Sequence, residues 1–161
     1  MKNLVCRTLT IISLGLLLAE MASAGQAGTC SAATVKGDWA LTLSGTLLLP
    51  TGPVPAAAVV RATLKPDGTV TGTEARNVGG GYADETMSGT FTVNHDCTGS
   101  AAVNFYENGQ LVRTSVLAII FDDNSQQVRM VQKSLTLPDG VTQLPVVIVV
   151  EGRRLHIWNH D

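Results

Sequence analysis

A short stretch near the middle of the sequence carries two ionisable side chains at the spacing of one strand face. Residues 69–76 alternate in polarity, which places Glu74 and Arg76 on the same face of a predicted strand. If that face points into an enclosed space, the carboxylate and the guanidinium could orient a polar group of a ligand. Glu74 could also act as a general base there, with its pKa raised by burial. The alternative is an ordinary salt bridge at the rim of a sheet.

Two further residues extend this candidate site. Tyr82 lies in a glycine-rich stretch, residues 77–84, which is predicted to be a loop beside the Glu74 strand. Arg113 lies in a later strand-like run and either faces an interior or reaches solvent from the strand end. No catalytic residue is assigned. The candidate ligand-binding residues are Glu74, Arg76, Tyr82 and Arg113.

The cysteines indicate a disulfide. Cys6 falls in a segment predicted to be removed, so Cys30 and Cys97 remain, and an even number in an exported chain is typical of a disulfide. Such a bridge would restrict the unfolded chain by roughly 4 kcal/mol. The alternative is that Cys30 is the lipidated cysteine of a bacterial lipoprotein. The preceding Thr29 fits that signal poorly, because a small residue is expected there.

The N-terminal segment has the three parts of a secretory signal. Lys2 and Arg7 form a basic start, residues 9–19 are apolar, and Ala22-Ser23-Ala24 supplies the small residues of a cleavage site. The apolar run is far shorter than the roughly twenty residues of a membrane-spanning helix, although a retained anchor is the alternative. We predict a mature chain that begins at Gly25, is exported to the periplasm or beyond the cell, and has no transmembrane segment.

Several classes of function are disfavoured by what the sequence lacks. The 11 basic and 13 acidic residues leave a net charge of −2, which argues against nucleic-acid binding through a basic surface. A Gly-x-Ser-x-Gly motif is missing, and the glycines at 79–81 are not followed by the lysine of a phosphate-binding loop. His156 and His160 have no third ligand nearby in the sequence. We therefore predict neither a metal site nor a cofactor.

The elements that must position these residues are strands. Apolar residues alternate with Thr and Ser from Trp39 onward, and turns are predicted at Pro66-Asp67-Gly68, Asn108-Gly109 and Pro138-Asp139-Gly140. The run 144–150 is continuously apolar, which predicts a strand covered on both faces. The predicted strands lie at 38–49, 56–64, 69–76, 86–94, 100–106, 111–121, 127–137 and 144–150, with a further short strand or tail at 153–158.

Short turns between successive strands predict an antiparallel meander. Closing such a sheet removes its two exposed edges, so we predict an all-β fold, an up-and-down β-barrel of about eight strands. A two-sheet β-sandwich is the alternative. The expected organisation is a signal peptide at 1–24, an N-terminal segment at 25–35 and a single barrel domain at 36–161.

Three motifs carry a resemblance to known proteins. Gly37-Asp38-Trp39, Pro66-Asp67-Gly68 and the strand SGTFTVNHDCTG at 88–99 resemble a group of small exported bacterial β-proteins without a settled function. The resemblance implies export, a disulfide and a barrel similar to the calycins or the allene-oxide-cyclase-like barrels. It assigns no catalytic residue.

The expected function is binding of a small apolar or amphipathic ligand in the barrel, without catalysis. One alternative is an enzyme of cyclase or isomerase type that uses Glu74 and Arg76 inside the barrel cavity. Another is a protein-interaction or inhibitor module that acts through the loop at 77–84.

Overall fold

The computed structural model describes residues 29–122 and 124–156. The predicted signal peptide at 1–24, Trp158 and His160 lie outside the described residues. One helical turn, α1 (Ala32–Val35), precedes the strands. The strands are β1 (Gly37–Leu49), β2 (Gly52–Leu64), β3 (Thr69–Val78), β4 (Gly81–Val93), β5 (Thr98–Glu107), β6 (Gln110–Asp122), β7 (Gln127–Thr136), β8 (Gln143–Leu144) and β9 (Val146–Arg154).

The strands close into an antiparallel up-and-down barrel, as the sequence predicts. Each of β1 to β7 pairs with the next strand in the chain, and β9 inserts between β7 and β1. The β6–β7 pairing completes the ring, and the two-residue β8 is an extra strand that pairs with β7. The fold is therefore a closed eight-stranded barrel with one short addition, and the two-sheet sandwich is wrong.

Alternation of side chains separates the barrel interior from its outer surface. In β1, Trp39 and Leu41 are buried while Ala40 and Thr42 are exposed. At two inward-facing positions the strands bend closely past their neighbours. A Cβ at Gly72 would clash with the carbonyl oxygen of Arg61, and one at Gly89 with that of Ala102. Glycine is needed at these bends, which help the sheet to curl into a barrel.

One end of the barrel is closed by the segment before β1. Ser31 caps α1 through a reciprocal capping box with Thr34. Val35 and Trp39 are fully buried, and the Trp39 indole Nε1 donates a 3.0 Å hydrogen bond to the Val35 carbonyl. The predicted disulfide is present: Cys30 is joined to Cys97, which lies between β4 and β5, with Cα atoms 4.9 Å apart. This end of the barrel is therefore plugged and covalently tied.

The glycine-rich stretch at 77–84 is a hairpin, and the predicted loop is wrong. β3 continues to Val78 and β4 begins at Gly81, so only Gly79 and Gly80 form the turn. Both have positive φ, 58° and 92°, which suits a two-residue hairpin turn. The segment 77–84 therefore lacks the extended loop through which a protein-interaction or inhibitor module would act.

The last strand also differs from the prediction. Pro145 separates β8 from β9, so the apolar run at 144–150 does not form one strand. Its predicted burial on both faces is wrong, since Val147 and Val149 are 62% and 48% exposed. Their neighbours Ile148 and Val150 face the core. Within the described ranges, no second layer packs against the outside of β9, because the barrel closes by strand pairing alone.

Candidate functional site

The barrel encloses a cavity of about 250 Å³. Its wall is mostly aliphatic and aromatic, with contributions from every long strand of the barrel. At the end opposite α1 the barrel terminates in the hairpin turns around 50–51, 79–80 and 108–109 and in the segment 137–145. Among the described residues no helix lies at this end, which we call the mouth. Apolar lining residues include Leu43, Ala58, Val60, Met87, Phe105 and Ile148.

Two glutamates lie side by side inside this largely apolar barrel. Glu74 of β3 and Glu85 of β4 are direct cross-strand partners, so their side chains share the inward face. Each residue is only 3% exposed. Like charges at opposed positions repel, and burial removes the water that would screen them. The pair therefore needs cationic partners.

Arg113 supplies the first of these partners and joins the two glutamates. Its Nη2 donates to Oε1 of Glu74 at 2.9 Å, and its Nη1 donates to Oε2 of Glu85. The guanidinium also stacks on Phe105, with Cζ 3.9 Å from the ring centroid. The Arg113 side chain is 14% exposed. It faces the interior, so its interpretation as a solvent-reaching arginine is wrong.

Arg76 is the second cationic partner and leads from the cavity toward the mouth. Its Nε donates to Oε1 of Glu85, and its Nη2 lies 3.6 Å from Oε2 of Glu107. Arg76 and Glu107 are both partly exposed. The simple Glu74–Arg76 rim bridge is therefore not what the structure contains, because Arg76 pairs with Glu85 and Glu74 pairs with Arg113.

Glu74 is left with one oxygen unsatisfied. Its Oε2 is buried and has no hydrogen-bond partner among the described residues. Burial raises the pKa of Glu74 above its ordinary value, and the charge of Glu85 adds to the rise, while Arg113 opposes it. Glu74 is also one of the residues that line the cavity.

A second polar contact lies across the lumen. Gln132 of β7 and Ser115 of β6 are both buried and line the cavity. The Gln132 amide nitrogen donates to the Ser115 hydroxyl at 3.0 Å and to the Ser134 carbonyl at 3.1 Å. Together with the ionic cluster, this contact gives the apolar cavity a few fixed polar groups, an arrangement typical of small-molecule sites.

Tyr82 is placed apart from the other candidate residues. It is 65% exposed on the outer face of β4, opposite Asn77, and does not line the cavity. Its hydroxyl donates a 2.6 Å hydrogen bond to Asp84. The structure thus brings together Glu74, Arg76 and Arg113 but not Tyr82.

Glu85 is the site residue that sequence reasoning missed. The alternation of Met87, Gly89 and Phe91 continues backward through Glu85, so the signal was present. The predicted loop ends at residue 84 and the predicted fourth strand begins at residue 86, so Glu85 falls between them and is given no strand face.

Metal ligands and membrane-spanning helices are two further features that would indicate function. No group of three or more histidine, cysteine, aspartate or glutamate side chains among the described residues could hold a metal ion. His156 is exposed, with its Nε2 2.9 Å from Oε1 of Gln126, and His160 lies outside these residues. In the same part of the chain, no helix has the length and apolar character needed to cross a membrane.

The fold and cavity define a closed antiparallel β-barrel with a partly ionic interior. The chain is similar to the solved structure of EF1p2_mFAP2b bound to DFHBI, at 12% identity and a TM-score of 0.51, covering 77% of this chain and 96% of that one. It is also similar to a redesigned beta barrel, mFAP1, bound to DFHBI, at 18% identity and a TM-score of 0.47, covering 76% and 97%. No protein-family model and no curated protein matches the chain. At these identities the likeness concerns the fold alone.

Proposed function

We propose that this protein is an exported β-barrel that binds one small apolar or amphipathic molecule in its interior, without catalysis. The observation that carries the proposal is the cavity of about 250 Å³, whose apolar wall surrounds a buried ionic cluster. Protein cores normally contain few voids larger than a water molecule. A space of this size inside a small barrel therefore suggests a ligand.

The dimensions and chemistry of the cavity limit the ligand. An apolar cavity of about 150 Å³ accepts benzene, so this one has room for a molecule of one or two rings. Contacts with the aliphatic and aromatic wall would supply most of the affinity, and the few polar groups would set the orientation. The similar barrel EF1p2_mFAP2b is bound to DFHBI, which accords with a ligand-binding use of this fold.

Export is supported by two independent features. The predicted signal peptide occupies residues 1–24, and the Cys30–Cys97 disulfide is typical of an oxidising compartment. The intact mass of protein recovered from an exporting host tests this part. A chain that starts at Gly25 and lacks two hydrogens supports it, whereas a chain that starts at a diacylated Cys30 would identify a lipoprotein.

Ligand binding is tested by comparing native and denaturing mass spectra of the purified protein. A mass excess seen only under native conditions supports the proposal, and Ala58→Phe, which fills the cavity, should abolish it. Ala102→Phe places the same side chain on the outer face and is the matched control. An excess that persists in Ala58→Phe and is lost in Ala102→Phe would place the ligand outside the barrel.

An isomerase or cyclase is the second candidate function. The specific observation in its favour is the free, buried Oε2 of Glu74 with a raised pKa, a suitable state for a general base. The base would move a proton between two positions of the ligand and leave its composition unchanged. Incubation of the identified ligand in deuterated water distinguishes the candidates. If the wild type incorporates deuterium into the ligand and the Glu74→Gln variant does not, the protein is a catalyst. If the wild type incorporates no deuterium, the protein only binds the ligand.

A further inference from the structure

We infer that the ligand carries a protonated amine on an apolar body, and that Oε2 of Glu74 receives the amine inside the barrel. This inference rests on the proposed ligand-binding function and specifies the chemistry of the same cavity. It follows from the unpartnered oxygen, from the strength of a charge-assisted hydrogen bond to a carboxylate and from the way both arginines are already engaged.

The unpartnered oxygen points to a hydrogen-bond donor. Buried polar atoms in folded proteins are almost always satisfied, and an exception calls for an explanation. Glu74 is 3% exposed, lines the cavity, and has Oε1 paired with Arg113 while Oε2 has no partner among the described residues. A carboxylate oxygen only accepts hydrogen bonds. The missing group is therefore an N–H or O–H supplied from the cavity.

The type of hydrogen bond favours a cation over a neutral donor. The four inner side chains of the cluster balance one another, because Arg76 and Arg113 pair with Glu74 and Glu85. Glu107 is 40% exposed, so its charge is screened by water and is not counted with them. A protonated amine at Oε2 of Glu74 would form the stronger, charge-assisted type of hydrogen bond.

The arginines do not form an anion site. Both terminal nitrogens of Arg113 are engaged by Glu74 and Glu85, and its face is covered by Phe105. Arg76 is engaged by Glu85 and Glu107. A ligand carboxylate would have to displace one of these glutamates and leave it buried without a partner, which is strongly unfavourable. The cavity therefore disfavours fatty-acid-like anions, although it contains two arginines.

The apolar wall determines the rest of the ligand. Leu41, Val60, Met87 and Phe105 line the same cavity as Glu74. The carboxylate loses its hydration when the protein folds, so binding adds only the cost of dehydrating the amine. An aromatic or branched aliphatic body of one or two rings would gain enough apolar burial to offset that cost.

Four probes of nearly equal shape test the inference on the intact protein. They are naphthylmethylamine, naphthylmethanol, methylnaphthalene and naphthoate, titrated near neutral pH by isothermal calorimetry. We expect the amine to bind at least about tenfold more tightly than the alcohol or the hydrocarbon, and naphthoate to bind most weakly. Equal binding of the amine and the hydrocarbon, or a preference for naphthoate, would overturn the inference and leave the proposed function standing. Failure of all four probes would overturn both for ligands of this size.

Two charge-matched variants assign the preference to Glu74. Glu74→Gln should reduce the advantage of the amine over the hydrocarbon by about tenfold while the hydrocarbon binds as before. Glu107→Gln removes the same charge from a side chain that is 40% exposed, and should leave the advantage within about twofold. If Glu107→Gln abolishes the advantage and Glu74→Gln does not, Glu74 is not the receptor. The probe series on the unmodified protein remains decisive if a variant does not fold.

Discussion

Glu74 and Glu85 face each other across β3 and β4, yet only Glu85 has both of its carboxylate oxygens paired. Arg76 and Arg113 each bind one oxygen of Glu85, whereas among the described residues only Arg113 forms an ion pair with Glu74. The two residues are equally buried and lie in register. The asymmetry therefore comes from where the arginines enter the barrel. It makes Glu85 a structural anchor and leaves one oxygen of Glu74 without a partner among the described residues.

Arg113 should be the most stabilising single side chain of this cluster. Arg113→Met leaves Glu74 without its cationic partner and Glu85 with only one, so we expect a loss of about 3 kcal/mol or more in the free energy of unfolding. Urea denaturation measures this loss. Arg61→Met is the control, because its bridge to Asp38 is exposed and should contribute less than about 1 kcal/mol. Equal losses in the two variants would contradict the buried character of the cluster.

The stability difference between wild type and Glu74→Gln should depend on pH in a defined direction. The folded pKa of Glu74 is raised above the ordinary 4.5, so the folded state holds this proton more tightly than the unfolded chain. The contribution of Glu74 to the free energy of unfolding is therefore fully present below the pKa that Glu74 has in the unfolded chain. It is lost as the pH rises through the pKa that Glu74 has in the folded protein. Relative to wild type, Glu74→Gln should gain stability across this window.

Urea denaturation of both proteins at a series of pH values measures that difference. Because the comparison is between two proteins that share all other groups, titration of the surface aspartates largely cancels. A difference that is flat from acid to neutral pH, or that changes in the opposite direction, would contradict a raised pKa for Glu74.

The disulfide should contribute strongly to stability. It spans 67 residues and ties the plugged end of the barrel to the turn between β4 and β5. The double variant Cys30→Ser with Cys97→Ser should lose roughly 4 kcal/mol, mainly because the unfolded chain gains freedom. Thermal unfolding of the oxidised protein with and without a reductant gives the same comparison. The reductant should not change the thermal unfolding of the double variant. If it lowers the unfolding temperature of the double variant as much as that of the wild type, the reductant does not act through this disulfide.

The barrel and one side of its site could be predicted from the sequence because they depend on local patterns. Alternation in residues 69–76 placed Glu74 and Arg76 on one face, and Asn108-Gly109 marked a hairpin whose two central residues both have positive φ. Both predictions need only neighbouring residues, and the structure bears them out.

The rest of the site required long-range information. Arg113 is 39 residues from Glu74 and 28 from Glu85, and it reaches them because the curved sheet places β6 two strands from β4 and three from β3. The position of Glu85 opposite Glu74 depends on the length of the turn at 79–80, because that length sets the β3–β4 register. The glycine-rich composition suggested a longer loop, so neither the register nor the carboxylate pair could be derived.

The outer face of β9 provides a matched test of which side chains form the core. Val149 is exposed on the barrel surface and Val150 is buried against the core. Val149→Thr should change the free energy of unfolding by less than about 0.5 kcal/mol, whereas Val150→Thr places a hydroxyl among apolar groups and should cost about 1–3 kcal/mol. Denaturant titration of the two single variants makes the comparison. Comparable losses would show that Val149 is covered, by a second copy of the chain or by another partner, and concentration-dependent unfolding would identify the second copy.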